Sequence, residues 1–243
     1  MLIASCKGEC DVVKCLFSSG ADINLRCNQG QSPLFAASMS GHCDVVECLL
    51  SSGADIKLCS NLEQSPLFIA SLKGHCDVVK SLLSSGANIN FCDEDGQSPL
   101  YIASEEWECD VVECLVSSGA DINLCDEDGQ SPLYIASEKG ECDVVKCLLS
   151  SGADINWCDQ RGQSPLSIAS MFGHCDVVKC LLSSGANINL CDKQGKSPLF
   201  IASKEGKCDF VKCLLSSGAD INWCDHRGQS PLSIASMIGH WCC

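Results

Sequence analysis

The stretch Cys125–Trp157, CDEDGQSPLYIASEKGECDVVKCLLSSGADINW, is one copy of a 33-residue unit that recurs down almost the whole chain. Ser-Pro-Leu returns at Ser32, Ser65, Ser98, Ser131, Ser164, Ser197 and Ser230, and all seven prolines sit in that tripeptide. A fixed period of this size signals a stack of small units rather than one folded globule. A unit this small cannot bury its own apolar face, so each must lean on the next.

Inside the unit, Ser98 followed by Pro99 reads as a helix start. The hydroxyl accepts from an orphan N–H, and proline loses nothing at the first helical position. Leu100, Ile102, Ala103 and Ser104 continue a short helix with small residues on one side. In most copies it stops at a glycine such as Gly140 or Gly173, which takes the left-handed conformation. A second helix follows, with Asp143 at its positive end. Val144, Val145, Leu148 and Leu149 form its apolar stripe, and Gly152 closes it. The GADINW segment alternates like a short extended piece, and Asp159 to Gly162 reads as a tight turn. The unit is therefore helix, turn, helix, then a hairpin-like loop projecting sideways.

Composition limits the function classes. The chain has 243 residues, 46% apolar, with a net charge of -15. The acidic residues are spread through the repeats, and no basic cluster suited to nucleic-acid phosphates occurs. No run approaches the roughly 18 apolar residues of a membrane span. The N-terminal MLIASCKGEC lacks the basic and apolar regions of a secretory signal and reads as the middle of a repeat.

The run from D-x-x-G through S-P-L, G-H, V-V-K-x-L-L and G-A-D-I-N resembles the ankyrin repeat over essentially the entire chain. The resemblance implies an α-helical repeat solenoid of stacked helix-turn-helix units with β-hairpin-like loops. It also implies protein–protein binding or scaffolding. One departure is consistent: the family usually carries Thr-Pro-Leu-His. Here serine replaces threonine, and Phe35, Phe68, Tyr101, Tyr134, Ser167, Phe200 or Ser233 replaces histidine. The family's Thr–His hydrogen bonding between repeats is then missing, and packing of the aromatics has to compensate.

The expected organisation is one repeat domain over 1–243. Full repeats span 26–58, 59–91, 92–124, 125–157, 158–190 and 191–223, with partial ones at 1–25 and 224–243. Both ends are cut mid-unit without a polar capping face, so frayed ends or a longer array are expected. Two interior irregularities stand out. Ser60-Asn61-Leu62-Glu63 replaces D-x-x-G, so that repeat should lose its turn, and Lys57 occupies an asparagine slot. Trp107 takes the glycine position that ends helix one, where a positive φ is strained for tryptophan, so that helix should end differently.

Two loops carry Trp157 and Trp223, and the residue after the following Pro-Leu is then small, Ser167 or Ser233. Where the loop carries leucine or phenylalanine, that residue is aromatic. The exchange suggests one shared space. The same copies carry Met171-Phe172 and Met237-Ile238, which read either as repacked core or as an apolar contact surface recurring every second repeat.

Most of the 23 cysteines fall in three periodic slots: the start of helix two, five residues further on, and the loop. Like slots in neighbouring repeats are about 8–10 Å apart. That exceeds the ~7 Å a disulfide tolerates. Zinc-finger spacing is absent. Cysteine therefore reads as a small, half-buried apolar side chain, in a reducing, intracellular and cytoplasmic setting. A redox or metal role is the alternative, as is lipidation of the Cys242-Cys243 pair.

No residue pattern suggests catalysis or a cofactor. His42, His75, His174 and His240 sit in the Gly-His turn, where the family uses histidine structurally. Loop carboxylates such as Asp126, Glu127 and Asp128 fit turn chemistry, with calcium binding as the other reading. Asn24, Asn90, Asn123, Asn156, Asn189 and Asn222 match asparagines that some ankyrin proteins have hydroxylated. A bond to their own hairpin backbone is the plainer role.

Copies differ from one another in two places. One is the loop tip: Glu94, Asp95, Glu127, Asp128, Gln160, Arg161, Lys193, Gln194, His226 and Arg227. The other is late in helix one: Met39, Leu72, Lys73, Glu105, Glu106, Glu138, Lys139, Met171, Phe172, Lys204 and Glu205. The candidate set takes the tips and the helix-one residues from Glu105 onward, and adds Tyr101 and Tyr134 of helix one. These form the candidate partner-binding face. The tips are acidic in the middle repeats, so a protein partner crossing there should be basic. The chain should be a monomer unless its open repeat ends associate. The other functional expectation is a targeting or adaptor segment of a larger protein.

Overall fold

The structure is a computed structural model that describes residues 1–239. The last residues of the partial repeat 224–243, with the turn histidine at 240 and the terminal cysteine pair, lie outside the described residues. The chain divides into two compact units, 1–127 and 128–243.

The first unit contains α1 (Leu2–Cys6), α2 (Cys10–Ser18), α3 (Pro33–Ser40), α4 (Cys43–Ser51), α5 (Pro66–Leu72), α6 (Cys76–Ser84), α7 (Pro99–Glu105) and α8 (Cys109–Ser117). Helices α1, α3, α5 and α7 pack one on the next in one row, and α2, α4, α6 and α8 make a second row behind it. The second unit repeats the plan. There α9 (Pro132–Lys139), α11 (Pro165–Phe172), α13 (Pro198–Lys204) and α15 (Pro231–Ile238) form one row, and α10 (Cys142–Ser150), α12 (Cys175–Ser183) and α14 (Cys208–Ser216) the other. Each unit is thus built of paired helices stacked in tandem.

The serine caps behave as the local chemistry dictates. In all seven Ser-Pro-Leu copies the serine hydroxyl accepts the backbone N–H three residues on, as Ser98 does from Tyr101 at 3.1 Å, with proline at the first helical position. Helix one is buried nearly all round: in α7, Pro99 through Ser104 are all buried. The buried Ser104 hydroxyl donates to the Leu100 carbonyl at 2.8 Å, and Ser71, Ser137 and Ser170 do the same in their copies, whereas the equivalent Ser5 and Ser38 hydroxyls are buried without a partner.

Helix two is amphipathic. In α10, Val144, Val145 and Leu148 are buried while Lys146 faces water and pairs with Asp143 at 3.0 Å. Each buried leucine or valine contributes about 1.5–3 kcal/mol. The exposed pair adds at most about 1 kcal/mol. Behind the helix, Ala153 N–H reaches back to the Leu148 carbonyl at 3.0 Å and Gly152 to Leu149, with Gly152 at φ +94°.

Three sequence expectations change here. The GADINW segment is a turn, not an extended piece: Asn156 N–H donates to Asp154 Oδ1 and Trp157 N–H to the Asp154 carbonyl. The side chain captures its own backbone two residues on, which competes with an extended path. The Ser60–Glu63 turn is kept. Ser60 accepts the Leu62 N–H and its own N–H donates to Gln64, with Glu63 at φ +56°. The serine hydroxyl stands in for the usual aspartate. Finally, α7 ends as α5 does, and Trp107 adopts φ +69°. The Glu108 N–H to Ala103 carbonyl bond at 3.0 Å matches His75 to Ala70 in the preceding copy. The frame of the repeat imposes the left-handed step on whatever residue stands there.

No helix among the described residues is long and apolar enough to cross a membrane.

Candidate functional site

The loop of each repeat is held by its own hydrogen bonds. In the Asp159 turn, Oδ1 accepts the N–H groups of Arg161 at 2.9 Å and Gln163 at 2.7 Å, while Asp159 N–H donates to the Gln163 carbonyl. Asp93, Asp192 and Asp225 repeat this arrangement. Successive tips are then tied by one backbone bond each. In the first unit Glu94 N–H meets the Leu62 carbonyl at 3.4 Å and Glu127 N–H the Asp95 carbonyl at 3.1 Å. In the second, Gln160 meets Asp128 at 2.9 Å, Lys193 meets Arg161 at 2.9 Å, and His226 meets Gln194 at 3.0 Å. The approach is close: a Cβ at Gly162, which lies at φ +81°, would stand 2.8 Å from the Lys193 backbone nitrogen.

This geometry holds the variable residues at fixed intervals. In the first unit Glu94, Asp95, Glu106 and Glu127 are exposed and Glu105 is half-buried. In the second, Asp128, Lys139, Gln160, Arg161, Phe172, Lys193, Gln194, Lys204, Glu205, His226 and Arg227 are exposed, with Glu138 and Met171 half-buried. Lys204 and Glu205 pair at 3.0 Å. The first unit's tips are acidic from Glu94 onward, whereas the second unit's are mixed, with Arg161, Lys193 and Arg227 opposing Asp128.

Tyr101 and Tyr134 are placed differently from the expectation. Each is only 2% exposed, so they lie beneath the surface and not on it. Both lie in helix one, where an aromatic ring fills core volume. Tyr134 also does polar work: its hydroxyl lies 3.4 Å from both Asp159 Oδ2 and Gln163 Oε1 in the next repeat. It thereby links its own repeat to the next. Burial first, and then the Asp159 carboxylate, push its phenol well above the ordinary tyrosine range.

Several other long-range partners were not legible in the sequence. The loop asparagines do not serve their own hairpins: Asn156 Oδ1 accepts the N–H of Asn187 in the following repeat, and Asn24, Asn90 and Asn189 do the same. The turn histidines reach backward. Nε2 of His42, His75 and His174 lies 3.1, 3.2 and 2.7 Å from the carbonyls of Cys6, Met39 and Glu138. A carbonyl only accepts, so each Nε2 carries the proton. Trp157 and Trp223 also point backward, donating to the Gly129 and Gly195 carbonyls at 3.2 and 3.1 Å. The volume exchange noted in the sequence did not anticipate this polar role. Of the two apolar pairs, Phe172, Met237 and Ile238 are exposed, and Phe172 stacks on His174.

The cysteines are more than small apolar fillers. Loop thiols donate to the carbonyl two residues earlier, as Cys158 does to Asn156 at 3.4 Å. Helix-two thiols donate across the repeat boundary, as Cys76 does to the Asp110 carbonyl at 3.6 Å. Burial raises the thiols of Cys92, Cys158 and Cys191, with the adjoining aspartate adding to it. Unlike slots of neighbouring repeats approach on a diagonal: Cys76 and Cys114 line one shallow cleft with Lys80. Among the described residues no three histidine, cysteine or carboxylate side chains converge as a metal site.

The family model for ankyrin repeats, three copies to a match, fits residues 1–93, 37–126, 67–157, 100–192, 133–223 and 166–243. These windows overlap and together span the chain. No curated protein matches it.

Proposed function

From the premise that the chain belongs to the ankyrin-repeat family, whose repeats generally serve as protein-binding modules, we propose that it is a non-catalytic scaffold. Its loop tips and helix-one ends grip a partner protein. The first unit offers Glu94, Asp95, Glu105, Glu106 and Glu127 to a basic segment of that partner. The second unit adds a mixed surface, with Arg161, Lys193 and Arg227 beside the exposed Phe172. Tyr101 and Tyr134 support this surface from below.

The observation that carries the reading is the tip-to-tip bonding. Glu127 N–H is tied to the Asp95 carbonyl, so charges of adjacent repeats are held in register before any partner arrives. Pre-organised groups lose less entropy on binding. Clustered carboxylates steer a basic partner and make its capture salt-dependent.

The test is affinity capture with the full chain, followed by titration of each captured protein against a Glu94→Lys/Asp95→Lys/Glu127→Lys variant. At least one partner should lose about tenfold or more in affinity, a change of about 1.4 kcal/mol. Should every captured partner bind the variant as tightly as the parent, at low and high salt alike, the acidic face is not the binding surface.

A further inference from the structure

One device recurs at the junctions between repeats. Oδ1 of Asn24 accepts the backbone N–H of Asp55 at 2.9 Å, Asn90 that of Asp121 at 3.0 Å, Asn156 that of Asn187 at 2.9 Å, and Asn189 that of Asp220 at 3.0 Å. The same slot in the second repeat holds Lys57. An ammonium has no acceptor to offer. The N–H it leaves behind is that of Asn88, 31 residues on, as in every other pair.

Asn88 does not compensate from within. Its carboxamide accepts the Asn90 N–H at 3.2 Å and its carbonyl accepts the Phe91 N–H at 3.3 Å, but among the described residues nothing accepts its own N–H. Lys57 is exposed and joins none of the ion pairs among the described residues. Where the clasp is missing, a cleft of about 250 Å³ opens between the two loops, lined by Ile56, Lys57, Leu67, Ala87, Asn88 and Phe91. Sites for small-molecule ligands run from about 300 Å³ upward, so this cleft suits a single side chain better.

Cys59 and Ser65 complete the lining, which is mostly apolar. The Ser65 hydroxyl, the Cys59 thiol and the Asn88 carboxamide are already engaged with the backbone, which leaves one cation, Lys57, and one unclaimed donor, the N–H of the lining residue Asn88. A matching ligand carries an acceptor of negative charge and an apolar group on neighbouring atoms. The last residue of a polypeptide has that form, since its α-carboxylate and its side chain leave the same carbon. Backbone N–H groups are an established means of capturing such a terminus. A carboxylate would restore the acceptor that asparagine supplies at the other junctions and would neutralise Lys57 as well.

We propose that this cleft binds the C-terminal residue of a partner polypeptide, with an apolar side chain against Ile56, Leu67 and Phe91 and the free carboxylate on the Asn88 N–H and the Lys57 ammonium. None of these residues belongs to the acidic loop-tip surface, so loss of one binding mode leaves the other measurable.

Fluorescein-labelled heptapeptides ending in leucine, valine or phenylalanine, each as free acid and as amide, are titrated against the full chain by fluorescence anisotropy. At least one acid should bind saturably, and its amide should bind about tenfold or more weakly. Lys57→Asn restores the common residue and should weaken the acid by a similar factor, whereas Lys57→Arg should retain it. Circular dichroism melts of Lys57→Asn should match or exceed the parent, which separates closure of the cleft from unfolding. Three results overturn the assignment: no saturable binding by any acid, equal affinity for acid and amide, or equal affinity of the parent and a folded Lys57→Asn. The acid-against-amide comparison uses the unaltered chain and stands whatever the variants do.

Discussion

Asn156 and Asn187 are joined across a repeat boundary, the side-chain Oδ1 of the first accepting the backbone N–H of the second at 2.9 Å. A carboxamide that spans two repeats couples their stability, which a bond within one hairpin would not do. Asn156→Ala should therefore lower stability by about 1 kcal/mol, the usual net worth of one hydrogen bond. Urea unfolding checks this. An unchanged midpoint with an unchanged slope would show that the clasp carries no net stability.

Trp107 stands at φ +69° and is 58% exposed. The left-handed step costs a non-glycine residue on the order of 1–3 kcal/mol, part of which glycine gives back as unfolded-state entropy. Little packing is lost with an exposed ring. Trp107→Gly should raise stability by about 1 kcal/mol, and the melting temperature should rise with it. A fall in melting temperature would mean the indole contributes packing that outweighs the strain.

Tyr134→Phe removes the hydroxyl that lies 3.4 Å from Asp159 and Gln163. Those contacts are long, so the cost should be modest, about 0.5–1 kcal/mol. The native phenol is held above its ordinary range by burial and then by Asp159. The folded state thus keeps a proton that the unfolded chain releases above pH ~10. The contribution is complete below that pH and declines as pH rises further. Ultraviolet titration should find Tyr134 silent at alkaline pH until the chain unfolds. Its ionisation at the ordinary pH in intact protein would contradict this.

Cys92, Cys158 and Cys191 have thiols raised first by burial and then by their neighbouring aspartates. A raised thiol holds less thiolate at neutral pH, and thiolate is the reactive form. Iodoacetamide should label them several-fold more slowly than the exposed Cys6, Cys15 and Cys224. Mass spectrometry of the native protein reads the order, and equal rates at all six sites would refute it.

Ser131 is buried, and its hydroxyl accepts the Tyr134 N–H at 3.2 Å. Ser131→Ala leaves that donor without a cap and should cost about 1 kcal/mol, within the usual range for cap removal. Chemical denaturation of the single variant is sufficient to measure it.

Much of this molecule is local chemistry, and local chemistry is legible in a sequence. The period of 33 pointed to paired helices stacked in tandem. Ser131 with Pro132 placed the start of α9, and Val144, Val145 and Leu148 placed the buried face of α10. The exposed tips Glu94, Asp95, Gln160 and Arg161 followed from asking where copies differ. Adding Tyr101 and Tyr134 to that surface failed, because both rings are buried in the core. The Ser60 and Trp107 expectations failed for a different reason. Each treated an unusual residue as free to change the backbone, while the bonds to adjoining segments hold the backbone to the common path.

What the amino-acid order determined alone is the unit itself: its caps, its two helices and its turn, each set by residues within a few positions of one another. Only the folded array decided that Asn156 reaches forward, that Trp157 and His174 reach backward, and that Lys57 leaves a donor unclaimed. Those partners lie 28 to 36 residues away, about one repeat along the chain. A periodic sequence offers each side chain equivalent groups in its own copy and in both neighbours. The distance and offset at which packed helices settle bring only one of those groups within hydrogen-bonding reach.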